Sequence, residues 1–292
     1  MKNQICTGGC KYCAITEVFN RANEWEKLFE AHNGVIGINK STTIFNPPPL
    51  YMLDNKASQK SFYDFPVKLF KNDFVGFCAI SDPMLPQYRD YLNYFLDTIP
   101  KVAKVVSFVT KFPIGKKLMK RLAEIPNFQL FISTTGLDSI EVTTTASRVK
   151  TLALAKEYGV KALPVIHPYI SGMTNLSFVK DMVEIGYIEM SLKGLRYDKS
   201  MSEWMPKKVS ELYEGTDGSE TLISDNHENI ISGYGGELIS LREWSIANAV
   251  EPEGSISFYE SKKMVEELLL YANVTSSDTN NSVKETAIKR RL

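Results

Sequence analysis

Three cysteines crowd the start of the chain. Cys6, Cys10 and Cys13 are spaced C-x3-C-x2-C, with Tyr12 just before the last of them. Three thiolates are one too few for a fully protein-ligated [4Fe–4S] cluster, so a cluster held here keeps one iron without a protein ligand, open to chemistry. Gly8 and Gly9 between them suit a loop that folds tightly, because glycine reaches backbone conformations other residues avoid. A structural zinc site is the competing use of these thiols, and it wants four ligands, usually as two separated pairs. The fourth cysteine, Cys78, is isolated, and His32, His167 and His227 show no H-x3–5-H spacing. A disulfide framework fits less well still. The chain is long, and a polar N-terminus reaches the motif by residue 6 with no secretory signal, which matches a reducing, cytoplasmic setting.

The elements that must position this loop come from an ordinary globular composition. Of 292 residues 43% are hydrophobic and 23% charged, enough to bury one large core. No stretch approaches the ~20 apolar residues of a membrane span. With 34 basic and 34 acidic residues the formal net charge is zero, so composition makes no global electrostatic case for a polyanion partner.

Lys2–Ile5 is at most a stub of strand, and residues 17–31 have helical spacing. Residues 34–71, with Pro47-Pro48-Pro49 and several aromatics, read as a long connection, either a lid or insertion on the substrate side or a packed loop. From residue 74 short apolar runs alternate with helical patterns. Strands are expected over 74–80, 105–109, 128–132, 162–166 and 187–192, and helices over 88–99, 116–125, 145–158 (closed by Gly159) and 178–185 (closed by Gly186). Such alternation implies right-handed βαβ crossovers and a parallel sheet. Ser81-Asp82, Thr110-Lys111, Ser133-Thr134, His167 and Lys193 each fall where a strand ends, and so point to one mouth at the carboxyl ends of the strands. Residues 198–273 read as a C-terminal extension over the open side, with a helix at 261–271, and 274–292 as a disordered polar tail.

The cysteine spacing with Tyr12 resembles the cluster motif of the radical S-adenosylmethionine (SAM) superfamily. That resemblance implies an α/β fold, a partial (β/α)6 TIM-type barrel over residues 1–197 with the C-terminal extension beyond it. It also implies a [4Fe–4S] cluster on Cys6, Cys10 and Cys13, reductive cleavage of SAM to a 5′-deoxyadenosyl radical, and an electron donor such as flavodoxin or ferredoxin. Counting the stub, six strands agree with it. Ser81-Asp82-Pro83, Thr110-Lys111 and Ser133-Thr134-Thr135-Gly136-Leu137-Asp138, with Ile140-Glu141 and Arg148, resemble the group that includes spore photoproduct lyase and its relatives named DNA repair photolyases. The chain departs from the commoner superfamily pattern: no Gly-Gly-Glu-Pro follows the strand at 74–80, and Gly235-Gly236-Glu237 comes too late to replace it and reads as a turn.

Carried onto these positions, the resemblance places Ser81 near the SAM amino end. Lys111 and Arg148 pair with its carboxylate, Ser133 and Glu141 contact its methionine or ribose, and Tyr12 and the backbone of Val165-Ile166 border the adenine. Arg148 and Glu141, on or near a helix, read equally well as a solvated face. Cys78 is either a packed core thiol, as free cysteines commonly are, or, by the same resemblance, a hydrogen-atom donor to a product radical. The reading is therefore an enzyme acting by hydrogen abstraction, of lyase or oxidoreductase type, on a nucleic acid, peptide or small molecule and not at a membrane. The alternative is an iron–sulfur or zinc protein without SAM chemistry.

Overall fold

A computed structural model describes residues 9–13, 35–39, 42–64, 74–79, 81–216 and 218–250. Cys6, Gly8, the stub at 2–5, the helical pattern at 17–31, the helix at 261–271 and the tail at 274–292 lie outside them.

The centre of the fold is a sheet of short strands, of which those at 128–133 and 162–166 are buried on both faces. The strands are β1 (Val35–Asn39), β2 (Thr42–Phe45), β3 (Phe74–Phe77), β4 (Val105–Thr110), β5 (Phe128–Ser133), β6 (Ala162–Ile166), β7 (Glu189–Leu192), the outlying pair β8 (Leu195–Arg196) and β9 (Glu220–Thr221), and β10 (Glu237–Leu238). They alternate with helices α1 (Lys56–Tyr63), α2 (Arg89–Thr98), α3 (Lys116–Ala123), α4 (Thr145–Tyr158) and α5 (Phe178–Glu184). Helices α6 (Lys207–Ser210), α7 (His227–Gly233) and α8 (Leu241–Ala247) follow. Every residue of β5 and β6 is buried, as expected for strands covered on both sides. The sheet order is β1-β2-β3-β4-β5-β6-β7-β10; β1 runs antiparallel to β2, and β2 through β7 and β10 are parallel. The fold is α/β, and among the described residues the sheet stays open, compatible with a partial barrel. None of the described helices is long and apolar enough to cross a membrane.

Strand periodicity explains the two layers. Phe128, Leu130 and Ile132 share a buried cluster with Met119, Leu122, Leu152 and Met182 from the helices. The alternate positions, Phe131 on β5 with Leu163 and Val165 on β6, face the other way onto Trp244 of α8. Gln129, in the same row as Phe131, exchanges side-chain bonds with Ser245, donating at 2.8 Å to its carbonyl and accepting from its hydroxyl at 2.6 Å. Each fully buried Leu, Ile or Phe contributes about 1.5–3 kcal/mol, against roughly 0–1 kcal/mol for an exposed pair such as Lys180 with Glu184. These two apolar rows therefore decide the fold.

Two readings of the chain change. Residues 34–71, read as a lid, insertion or packed loop, contain β1 and β2, and β2 lies beside β3 with Thr43 opposite Val75 and Ile44 opposite Gly76. A Cβ on Gly76 would stand 2.6 Å from Ile44 Cδ1, so glycine allows this close approach. Part of the extension also joins the sheet: Gly235 turns the chain at φ +85°, and Glu237 N–H then bonds the Ile188 carbonyl at 2.9 Å to start β10. The turn reading of Gly235-Gly236 holds. The helix at 145–158 begins with Thr144 accepting from Ser147 N–H and ends at Gly159 in the left-handed region, φ +71°.

Candidate functional site

The polar residues at the strand ends are joined by direct bonds. Asp82, in the loop after β3, accepts the Thr110 hydroxyl at 2.7 Å and the Lys111 N–H at 2.8 Å. Lys111, one residue past β4, extends its amine to the ends of the next two strands, donating to Ser133 Oγ at 2.6 Å and to the His167 carbonyl at 2.9 Å. Ser133 Oγ also donates to that carbonyl at 2.9 Å. Past β6 the backbone continues the link, since Lys193 N–H bonds the Ile166 carbonyl and Tyr169 N–H the Lys193 carbonyl. The ends of β3, β4, β5, β6 and β7 therefore meet in one polar cluster, as the sequence pattern requires.

The cysteine loop is seated on this cluster. Within it, just before Cys10, Gly9 takes φ +56°, a conformation that suits glycine. Cys13 N–H bonds the Cys10 carbonyl at 3.2 Å, and Lys11 N–H reaches the Ile140 carbonyl at 3.3 Å. Tyr12 is buried with Leu137, Ile140, Ile170, Leu195 and Tyr197, and Cys10 packs against the same group. Lys111 Nζ lies 5.2 Å from the centre of the Tyr12 ring, within cation–π range. Burial pushes the Cys10 thiol up to about 12, against the pull of the Lys111 charge.

Behind Lys111 lies a buried ion pair. Arg148 and Glu141, both without side-chain exposure, meet at 2.5 Å, and Glu141 Oε1 stands 3.4 Å from Lys111 Nζ. Every nitrogen of the Arg148 guanidinium is committed within the protein: Nε to the Lys111 carbonyl and Thr143 Oγ1, one terminal nitrogen to Thr135 Oγ1, the other to Glu141 and Thr143. Burial lifts the Glu141 carboxyl to about 7 despite Arg148, and burial together with Arg148 lowers the Lys111 amine to about 7. Burial, then the charges of Lys111, Lys193 and Arg196, drops His167 to about 3 and keeps its imidazole neutral.

The expected site residues thus divide. Tyr12, Lys111, Ser133, Glu141 and Arg148 come together at the cysteine loop. The solvated-face reading of Glu141 and Arg148 is wrong, because the pair is buried where a loop and a helix close on the end of β4. Arg148 directs its guanidinium to Thr135, Glu141, Thr143 and the Lys111 carbonyl, beside the Lys111 amine. Ser81 has its hydroxyl buried without a hydrogen-bond partner among the described residues, like the Tyr12 hydroxyl. Cys78, one residue past β3, is buried in the apolar cluster with Phe45, Phe77 and Leu85. Among the described residues it alone, apart from glycines, takes a positive φ, +60°, and its N–H bonds the Phe45 carbonyl. The left-handed backbone breaks the strand alternation at this residue. Sequence reasoning gave no role to Asp82, Thr135 or Thr143. Asp82 alone carried a signal, its place just past a strand end.

Neither a protein-family model nor a curated protein matches the chain. Among solved structures it is similar to spore photoproduct lyase. A double variant of that enzyme with bound AdoMet and dinucleoside spore photoproduct aligns at 15% identity and a TM-score of 0.44, over 76% of this chain and 61% of that one. A complex with dinucleoside spore photoproduct aligns at 14% identity and a TM-score of 0.41, over 82% and 70%. The chain thus spans about three fifths of the length of the first of these structures.

A thiolate-bound metal centre fits the donors present. No group of three or more His, Cys, Asp or Glu side chains is placed to hold a metal ion among the described residues, which include Cys10 and Cys13 but not Cys6. Two thiols on one short turn are a partial ligand set that a third thiolate completes for a cluster. The buried Ser81 and Tyr12 hydroxyls, without partners among the described residues, are groups that a polar ligand satisfies.

Proposed function

We propose that this chain is a radical SAM enzyme whose Cys6, Cys10 and Cys13 hold a [4Fe–4S] cluster. When bound, that cluster supplies the electron that cleaves SAM to a 5′-deoxyadenosyl radical, which takes a hydrogen atom from the substrate. The observation that carries the reading is the Cys10–Cys13 turn packed through Tyr12 against the strand ends, with the Lys111 amine over the Tyr12 ring.

In this reading the chain's own residues bind and orient. Lys111 pairs with the carboxylate of SAM, where charge-assisted bonds are strongest. Ser133, bonded to Lys111, borders the methionine. Ser81 offers its unpartnered hydroxyl to the amino end, and Tyr12 and the Val165-Ile166 backbone border the adenine. Glu141 and Arg148 stand behind Lys111 and hold it. An external electron donor such as flavodoxin or ferredoxin serves the cluster. The substrate is a nucleic acid, a peptide or a small molecule.

Anaerobic reconstitution with iron and sulfide, followed by reductant and SAM, tests the proposal. A brown protein that releases 5′-deoxyadenosine is expected, and Cys10→Ala should lose both colour and cleavage. A colourless zinc protein, or a brown protein that leaves SAM intact, would replace this reading with the binding-protein alternative.

A further inference from the structure

We infer that Asp82 is a positioning residue that sets Lys111 over the cysteine loop. Its carboxylate is buried and accepts three bonds: Met84 N–H at 2.9 Å, the Thr110 hydroxyl at 2.7 Å and Lys111 N–H at 2.8 Å. The Met84 bond closes a local turn of the kind Asp side chains make, which fixes the carboxylate in its own loop. The other two carry that fixed point across to the end of β4. From the opposite side the Lys111 carbonyl accepts Thr143 Oγ1 at 2.6 Å and Arg148 Nε at 3.1 Å. Both polar groups of the Lys111 main chain are therefore held, the N–H among the described residues by Asp82 alone.

The reason to hold them is the side chain's freedom. A lysine stem carries about 2 kcal/mol of rotamer entropy, so its amine meets Ser133 Oγ and the His167 carbonyl reproducibly only if its backbone does not move as well. The two carboxylate oxygens divide the work: Oδ1 serves Met84 and Thr110, and Oδ2 serves Lys111. Asparagine has a single acceptor oxygen. With that oxygen left to Met84 and Thr110, its NH2 faces the Lys111 N–H, donor against donor. Asp82→Asn thus strikes the Lys111 contact while keeping size and shape.

The placement of Lys111 stands apart from the function proposed above, whereas its consequence for SAM rests on it. The test labels the full-length apo protein with an amine-acylating reagent and reads the modification rate of individual lysines by mass spectrometry. In Asp82→Asn, Lys111 should label about tenfold faster, the scale of one lost hydrogen bond to a charged group. Lys156 and Lys161, which also donate to backbone carbonyls, should keep their rates. Thr110→Val removes one donor to the carboxylate and should give a smaller rise confined to Lys111; it decides the matter alone if Asp82→Asn does not fold. Unchanged Lys111 labelling, or an equal rise at all three lysines, would overturn the inference.

A second arm measures SAM binding to reconstituted protein. Asp82→Asn and Lys111→Ala should each weaken it about tenfold, and the double variant no further, because the first acts through the second. Additive losses would overturn the coupling. Wild-type affinity in Lys111→Ala together with Lys111-specific labelling in Asp82→Asn would support the positioning and remove only the SAM reading.

Discussion

Arg148 and Glu141 meet at 2.5 Å with neither side chain open to solvent, and the Glu141 oxygen not nearest Arg148 looks toward Lys111. A buried pair of this kind gives little net stability against an apolar replacement, yet breaking it strands a charge. Arg148→Met should therefore cost about 3–5 kcal/mol in denaturant unfolding. Arg148→Met combined with Glu141→Leu should recover most of that loss. A single-variant cost below about 1 kcal/mol, the level of an exposed pair, would mean that the pair does not hold the loop.

Lys111→Ala should weaken SAM binding to the reconstituted protein by about 1.5–3 kcal/mol, the range for a hydrogen bond to a charged group. Because its amine already has partners in Ser133 and His167, part of the Coulomb gain is spent on exchanging them, and the lower half of the range is expected. Calorimetry checks this without any substrate.

Cys78 holds a left-handed backbone, where a side chain costs roughly 1–2 kcal/mol and glycine almost nothing. Cys78→Gly should therefore be at least as stable as Cys78→Ala, the reverse of the order in a regular strand. As a core thiol, Cys78 should leave 5′-deoxyadenosine release and the product profile unchanged in both variants. Aberrant products with normal SAM cleavage would instead assign it the hydrogen-donor role.

Burial alone would raise the Asp225 carboxyl, but hydrogen bonds from Ser171, Tyr169 and His227 outweigh it and hold the group down to about 2. A depressed carboxyl contributes stability above its unfolded value near ~3.9, and loses that contribution as pH falls through the folded value. Unfolding curves should show the wild-type advantage over Asp225→Asn full at pH above about 5 and fading toward pH about 2. A constant difference across that window would show that the Tyr169–Asp225–His227 contacts do not depend on the carboxylate charge.

Much of this architecture is written locally. The cysteine spacing, the strands at 105–109, 128–132 and 162–166, and the helix at 145–158 with its Thr144 and Gly159 ends depend on residues close in sequence, where alternation and capping operate. The observed strands β4, β5 and β6 differ from that reading by no more than a residue at an end. The mouth was legible for the same reason, since a polar residue directly after a buried strand must lie at its end.

Three things were decided only in three dimensions. Thr42–Phe45 is too short, and too close to prolines and aromatics, to read as a strand; its ladder with Val75 and Gly76 makes it one. Glu141 and Arg148 read equally as ligand contacts or as a solvated face until the loop and helix close on the end of β4 and bury the pair. Cys78 leaves its strand's alternation because φ turns positive at the bond to Phe45. Each depends on a partner about thirty residues away or more, or on a backbone angle set by one. Local sequence fixes which conformations are cheap, but the free energy of a buried charge, a sheet partner or a strained residue belongs to the packed whole.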